Sequence, residues 1–216
     1  MSVVVSPNYN RRSDSARVDF VARNDDRRRE LADAGLAVLA RDGARGLTHR
    51  AVDSEAGVPA GTASNYFRSR RALIAGLFAR IGERLAPDPR VHDGLSAREP
   101  SVELFADYIR DIVARLSANR DVTLALFELR LEAARRPELR GQVGQWLRAN
   151  FAGDIEFNTS AGLPGGAAEI ALFHYAIDGL LFDRLTTSID PDTPTDEVVD
   201  RFVAGLLRER RPLSSS

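Results

Sequence analysis

The residues best suited to recognition chemistry lie between Leu47 and Arg71. The turn Ala56-Gly57-Val58-Pro59 separates two short apolar-periodic runs. Gly57 there can take the left-handed conformation that lets a helix stop and redirect within three or four residues. Val52, Ala56, Val58, Ala63 and Phe67 have the spacing to fill the angle between the two runs. What remains outward after Pro59 is Ala60, Gly61, Thr62, Ser64, Asn65 and Tyr66, a small and polar face. Such a face can enter a DNA major groove and offer hydrogen-bonding groups to base edges. No acid stands between Ala56 and Arg71, so no carboxylate would face the phosphates there.

Catalytic and metal chemistry have little support. The three histidines, His49, His92 and His174, are far apart and lack metal-ligand spacing, and cysteine is absent. No G-x-S-x-G elbow, phosphate-binding GxxxxGK[ST] loop or GxGxxG fingerprint occurs, and the glycines of GLPGG follow no strand. The sequence predicts a non-enzyme with no metal and no cofactor.

These residues need helices to position them. Leu31, Ala34, Gly35, Val38 and Leu39 recur on one face, and Gly43 supplies a stop. Thr48 is placed as an N-cap, with Leu47 and Val52 at hydrophobic-staple spacing. A short helix follows Pro59 to about Phe67. Ser69 then caps a longer one carrying Leu73, Leu77, Ile81 and Leu85. Three helices in about 45 residues, the last two short and joined by a glycine turn, describe a helix-turn-helix. Residues 1–23 read as a flexible arm whose Arg11, Arg12 and Arg17 could reach a minor groove.

The proline-rich segment 86–100 is the best internal boundary, dividing a DNA-binding domain (24–86) from a helical body (87–216). Further helices are predicted at about 101–117, 120–136, 138–157, 165–188 and 195–210, with no sustained strand pattern. The fold class is all-α. Of the 216 residues 44% are hydrophobic and 28% charged, which suits a globular chain. No membrane span or secretory leader is recognisable, so the expectation is a cytoplasmic protein. The net charge of −1 hides an asymmetry: fifteen Arg face ten acids through Ala86, and fifteen face twenty-one beyond it. A basic first part on an acidic body suits contact with a polyanion at one end.

The stretch GLTHRAVDSEAGVPAGTASNYFRSRRALIAGLF resembles the DNA-binding domain of the tetracycline-repressor family. Matching elements are Gly46-Leu47-Thr48, Ala51-Val52, Ala56-Gly57-Val58, Gly61-Thr62, Asn65-Tyr66-Phe67 and Ser69-Arg70 with Ala72-Leu73, within residues 26–82. Two positions depart from the family pattern: Pro59 where Ser or Thr is common, and Arg70 for a frequent Lys. The resemblance implies that Thr48, His49, Tyr66 and Arg70 contact phosphates, and that Arg50 reaches a base. Gly61, Thr62, Ser64 and Asn65, with Ala60 beside them, would face base edges.

The resemblance also implies a homodimer built from the last two long helices. Phe173, Ile177, Leu180 and Leu181 on one, and Val199, Phe202, Val203 and Leu206 on the other, form apolar stripes compatible with it. An internal small-molecule site is implied too, for which Phe105, Tyr108, Phe127, Glu128, Arg130, Trp146, Phe151, His174 and Asp178 are candidates. Residues 122–134 are apolar on nearly every side, so Glu128 or Arg130 is expected to be buried and to need a partner, while His174 and Asp178 have ion-pair spacing. The function expected is a repressor on a palindromic double-stranded operator, released by an effector. The alternative is a helical protein–protein adaptor.

Overall fold

The computed structural model describes residues 10–207, which form ten helices and, among the described residues, no strand. They are α1 (Asn10–Gly46), α2 (His49–Glu55), α3 (Thr62–Tyr66), α4 (Arg70–Arg84) and α5 (Pro89–Ser96). Then follow α6 (Val102–Ala118), α7 (Arg120–Arg135), α8 (Pro137–Ser160), α9 (Ala167–Leu185) and α10 (Thr195–Leu206). The chain makes two compact units, Met1–Arg80 and Ile81–Ser216.

Two segments are more ordered than expected. The expected arm over 1–23 is helical from Asn10, and residues 1–9 lie outside the described residues. No Pro or Gly falls between Pro7 and Gly35, so nothing in that interval stops α1 from extending N-terminally. The segment 86–100 contains α5 because Pro89 sits at a helix start, where its missing N–H costs nothing. The Asp88 carboxylate accepts from the Arg90 N–H at 2.8 Å and caps that start.

In the first unit, α1 contributes Leu31, Val38 and Leu39, α2 Val52, α3 Ala63, and α4 Leu73, Ile74 and Leu77, all essentially inaccessible. Phe67 is fully buried among them. Its ring lies so close to α4 that a Cβ on Gly76 would sit 2.3 Å from Cε1, so only glycine fits there without displacing the ring. The helix stop expected at Gly43 is present, with φ 68° and ψ −177° breaking α1 near its end. Arg80 ties α4 to Asp33 of α1 at 2.8 Å.

The second unit closes around α6, α9 and α10. Leu104, Ile109 and Val113 meet Ile170, Leu181, Val199 and Val203, with the Phe105 and Phe173 rings 4.8 Å apart. No helix among the described residues is long and apolar enough to cross a membrane.

The α9–α10 connection is held by hydrogen bonds rather than burial. Asp183 accepts from the Ser188 hydroxyl at 2.6 Å and the Ile189 N–H at 2.9 Å, while Arg184 donates to the Thr193 carbonyl at 2.7 Å. The Ser188 bond, followed by the Ile189 N–H, holds the Asp183 carboxyl below its ordinary value of 3.8. A lowered pKa stabilises the fold above the unfolded value, and that contribution disappears as pH falls through the folded one. Acid titration of thermal stability should therefore show a loss beginning near pH 4 that Asp183→Asn reduces, with the variant less stable than the parent at neutral pH.

Candidate functional site

α2 and α3 present the outward surface that the sequence predicted. Thr48 caps α2, its hydroxyl accepting from the Ala51 N–H at 3.1 Å. Gly57 has φ 63°, the left-handed conformation required for a turn between these helices. α3 begins later than expected, at Thr62, with Gly61 as N-cap at φ 93°.

A glycine cap has no side chain to satisfy the orphan N–H groups of a helix start. Asp53 of α2 supplies that acceptor. Its carboxylate takes the Gly61 N–H at 2.7 Å through Oδ2 and the Ala63 N–H at 2.6 Å through Oδ1, and the residue is 3% exposed. The sequence reading missed Asp53. The available signal was an acid beside Val52 on the inward side of α2, facing a helix whose start carries only Gly61. Being enclosed, this carboxylate adds no negative charge to the outer surface of α3.

Of the expected base-facing residues, Ala60, Gly61, Ser64 and Asn65 are exposed and Thr62 is half-buried, as is Tyr66, an expected phosphate contact. The Thr62 hydroxyl donates to the Pro59 carbonyl at 2.6 Å and the Ser64 hydroxyl to the Gly61 carbonyl at 2.8 Å. Both oxygens keep acceptor capacity outward. Arg50 and Asn65 are exposed with no side-chain partner among the described residues.

Two expected phosphate contacts are turned inward. The guanidinium of Arg70 donates to the Leu47 carbonyl at 2.7 Å and the Ala44 carbonyl at 2.8 Å. It thereby satisfies backbone acceptors left where α1 breaks. The Nε2 of His49 lies 2.6 Å from the Phe67 carbonyl. A carbonyl only accepts, so Nε2 carries the proton. Both side chains brace the turn. The exposed cation that sequence reasoning passed over is Arg68, which has no ion-pair partner among the described residues.

The second unit contains two adjoining hollows. An inner cavity of about 130 Å³ is lined by Phe105, Tyr108, Phe157, Asn158, Phe173 and neighbouring aliphatic residues. A wider cleft of about 670 Å³ is lined by Arg115, Arg130, Trp146, Arg148, Phe151 and Tyr175, among others. Ile112, Asp154, His174 and Asp178 line both. His174 pairs with Asp154 at 3.0 Å, and Asp178 with Arg130 at 2.8 Å, so the expected His174–Asp178 pair is replaced by two pairs with other helices. Burial pushes the Tyr108 hydroxyl above its ordinary value, keeping it neutral.

Seven of the nine ligand candidates thus line one hollow or both, while Phe127 and Glu128 line neither. Phe127 packs on Phe182, ring centroids 5.8 Å apart. The buried acid of α7 is Glu132, beside Arg136 at 2.5 Å, rather than Glu128 or Arg130, because the least exposed side of α7 carries Leu129 and Glu132. Asn158 and Asp154 are cavity residues that the sequence did not single out.

Five of the eight expected interface residues are turned into the core of their own chain. Phe173, Leu180, Leu181, Val199 and Val203 are buried in their own chain, and Ile177, Phe202 and Leu206 pack against that core. α9 is apolar around most of its circumference, so periodicity alone could not say which side faces outward. The exposed apolar residues are Leu172, Tyr175 and Phe182, on one stripe at helical spacing.

A helix-turn-helix with an exposed acid-free reading helix, on a chain whose second unit is an all-helical body with an internal cavity, defines a DNA-binding regulator with a ligand-binding domain. Family comparison makes the assignment specific. Residues 31–77 match the model of bacterial regulatory proteins of the tetR family, and residues 100–209 match a tetracyclin repressor-like C-terminal domain. The chain belongs to the tetracycline-repressor family of transcriptional regulators. Solved structures agree. The multidrug binding protein EbrR complexed with imidazole is 29% identical, covering 85% of this chain and 96% of that one, with a TM-score of 0.57. A TetR-family member from Streptomyces coelicolor is 26% identical over 85% of this chain and 99% of that one, TM-score 0.63. FadR from Bacillus subtilis in complex with stearoyl-CoA shares the fold at 18% identity, covering 83% of this chain and 97% of that one, with a TM-score of 0.64. No protein of curated function matches the chain significantly.

Asp53→Ala should cost about 2–3 kcal/mol of stability, since charge-assisted bonds from two amides are lost. Amide exchange should accelerate at Gly61 and Ala63, while Asp53→Asn, retaining one acceptor, falls between. Unchanged exchange at both amides would show that α3 is held by packing alone.

Proposed function

We propose that this chain is a homodimeric repressor that reads a palindromic operator through α3 and is released by a small-molecule effector. The observation that carries the reading is the exposed polar surface of α3, anchored from behind by Asp53, with Arg50 and Asn65 free beside it. Asn65 suits a bidentate contact to adenine and Arg50 one to guanine. Arg68 and the Tyr66 hydroxyl take phosphate contacts that fix register. Thr48 contributes its cap, and its exposed hydroxyl adds a further phosphate contact.

A second copy covers the Leu172, Tyr175 and Phe182 stripe of α9. Dimerisation would place two reading helices one DNA turn apart, about 34–36 Å, or a multiple of that. The similar structure of the multidrug binding protein EbrR was solved in complex with imidazole, which supports assigning the helical body to effector binding. Effector binding then favours a conformation of lower operator affinity. The protein acts in the cytoplasm, where its operator is.

Selection of bound sequences from a random DNA pool should return a palindrome. Against it, Arg50→Ala should lose about 1–3 kcal/mol of binding and relax sequence preference. Arg68→Ala should weaken all sequences alike and lower the salt slope by about one. Arg70→Ala should instead lower folding stability. Salt-insensitive binding without sequence preference would favour an adaptor and end the repressor reading. Replacing Leu172 and Phe182 together with Glu should give monomers by sedimentation and abolish high-affinity operator binding, while leaving helical content intact.

A further inference from the structure

Three consecutive arginines stand on an exposed part of α1, ahead of residues 31–77 that match the family's domain. Arg27 pairs with Glu30 at 2.6 Å and Arg29 with Asp26 at 3.5 Å. Arg28 alone of the three has no carboxylate partner among the described residues. Asp25 stands three residues before it, the separation at which Arg27 and Glu30 meet, and is exposed. Arg28 nevertheless turns away from it. Its Nη1 donates to the Tyr66 carbonyl at 3.3 Å, and its guanidinium lies over the Phe67 ring, 4.7 Å from the centroid.

The fold accounts for that choice. Phe67 is fully buried, and a planar cation is attracted to the face of its ring. The Tyr66 carbonyl lies at the end of α3, where a helix leaves acceptors unmet. A guanidinium has five N–H groups, and the protein engages one of them here. The remaining donors belong to an exposed side chain anchored on the backbone of Tyr66, two residues from the exposed Arg68. Asn24, one turn before Arg28 on the same side of α1, is exposed and has no side-chain partner among the described residues.

Resting on the DNA-binding reading above, we infer that Arg28 is a further DNA-contacting residue. It holds the end of α3 with one N–H and gives others to a backbone phosphate at the edge of the half-site, with the Asn24 amide beside it. The partner is a phosphate rather than a base because Arg28 sits at the end of α3, past Ser64 and Asn65, and a phosphate takes two guanidinium N–H groups at once. Of the neighbouring acids on α1, Asp26 and Glu30 are engaged by Arg29 and Arg27, so Asp25 is the carboxylate that opposes the contact.

The full-length protein is titrated with its selected operator and with a scrambled duplex of equal length over a range of salt. Arg28→Gln keeps a donor for the Tyr66 carbonyl and removes the charge. It should weaken both duplexes about tenfold and lower the salt slope by about one, with base preference unchanged. Arg28→Lys should keep the slope, and Asp25→Asn should tighten both duplexes about twofold. Replacing phosphates one at a time by neutral methylphosphonates should reveal one at the edge of each half-site whose neutralisation weakens the parent but not Arg28→Gln. An unchanged slope in Arg28→Gln, or a loss confined to particular bases, shows that the residue only holds α3 and overturns the inference. Thermal unfolding checks that the variants are folded. The phosphate scan of the parent needs no variant, and the inference fails if no edge phosphate matters. A parent that shifts no duplex loses the repressor reading as well. One that shifts its operator and is matched by Arg28→Gln loses this inference alone.

Discussion

A helix as short as α3 cannot sustain itself. Five residues make barely one turn, and an isolated turn fixes several backbone dihedrals for a single hydrogen bond. Its start is also bare, because Gly61 has no side chain to meet the first amides. The carboxylate of Asp53, fixed on α2 and closed off from water, meets two of those amides and sets α3 relative to its neighbour. The outward surface inherits its geometry from this hidden charge. An acid on the outside would repel phosphate, whereas one enclosed behind the helix holds the helix in place.

The basic residues around this turn divide into two kinds by environment. Arg70 and the imidazole of His49 serve backbone carbonyls at the break of α1 and the end of α3. Arg50 and Arg68 are exposed and have no ion-pair partner among the described residues. Carbonyls left by a stopped helix need donors nearby, and the long arm of Arg70 meets two of them at once. A residue type associated with phosphate binding can thus be claimed by the fold first.

In the helical body, polar groups differ between the two hollows. The inner cavity holds mostly acceptors among aromatic rings, the two hollows share Ile112, Asp154, His174 and Asp178, and the guanidinia of Arg115, Arg130 and Arg148 line the wider cleft alone. The arrangement arises because α6, α8 and α9 all contribute residues to one space.

Local signals in the chain itself were enough for the helices other than α5 and the start of α1, for the helix-turn-helix, the stop at Gly43, the caps at Thr48 and Ser69 and the turn at Gly57. Each depends on a residue's own dihedral preference or on partners within about four positions, which a linear string displays directly. The tertiary structure decided what depends on distant partners. It made Asp53 a cap eight and ten residues ahead, drew Arg70 and His49 inward, and gave Asp154 to His174 and Arg130 to Asp178. It also decided which side of α9 is covered. A helix apolar almost all round carries no periodicity to mark its outside, and only the packing of α6 and α10 against it left Leu172, Tyr175 and Phe182 exposed.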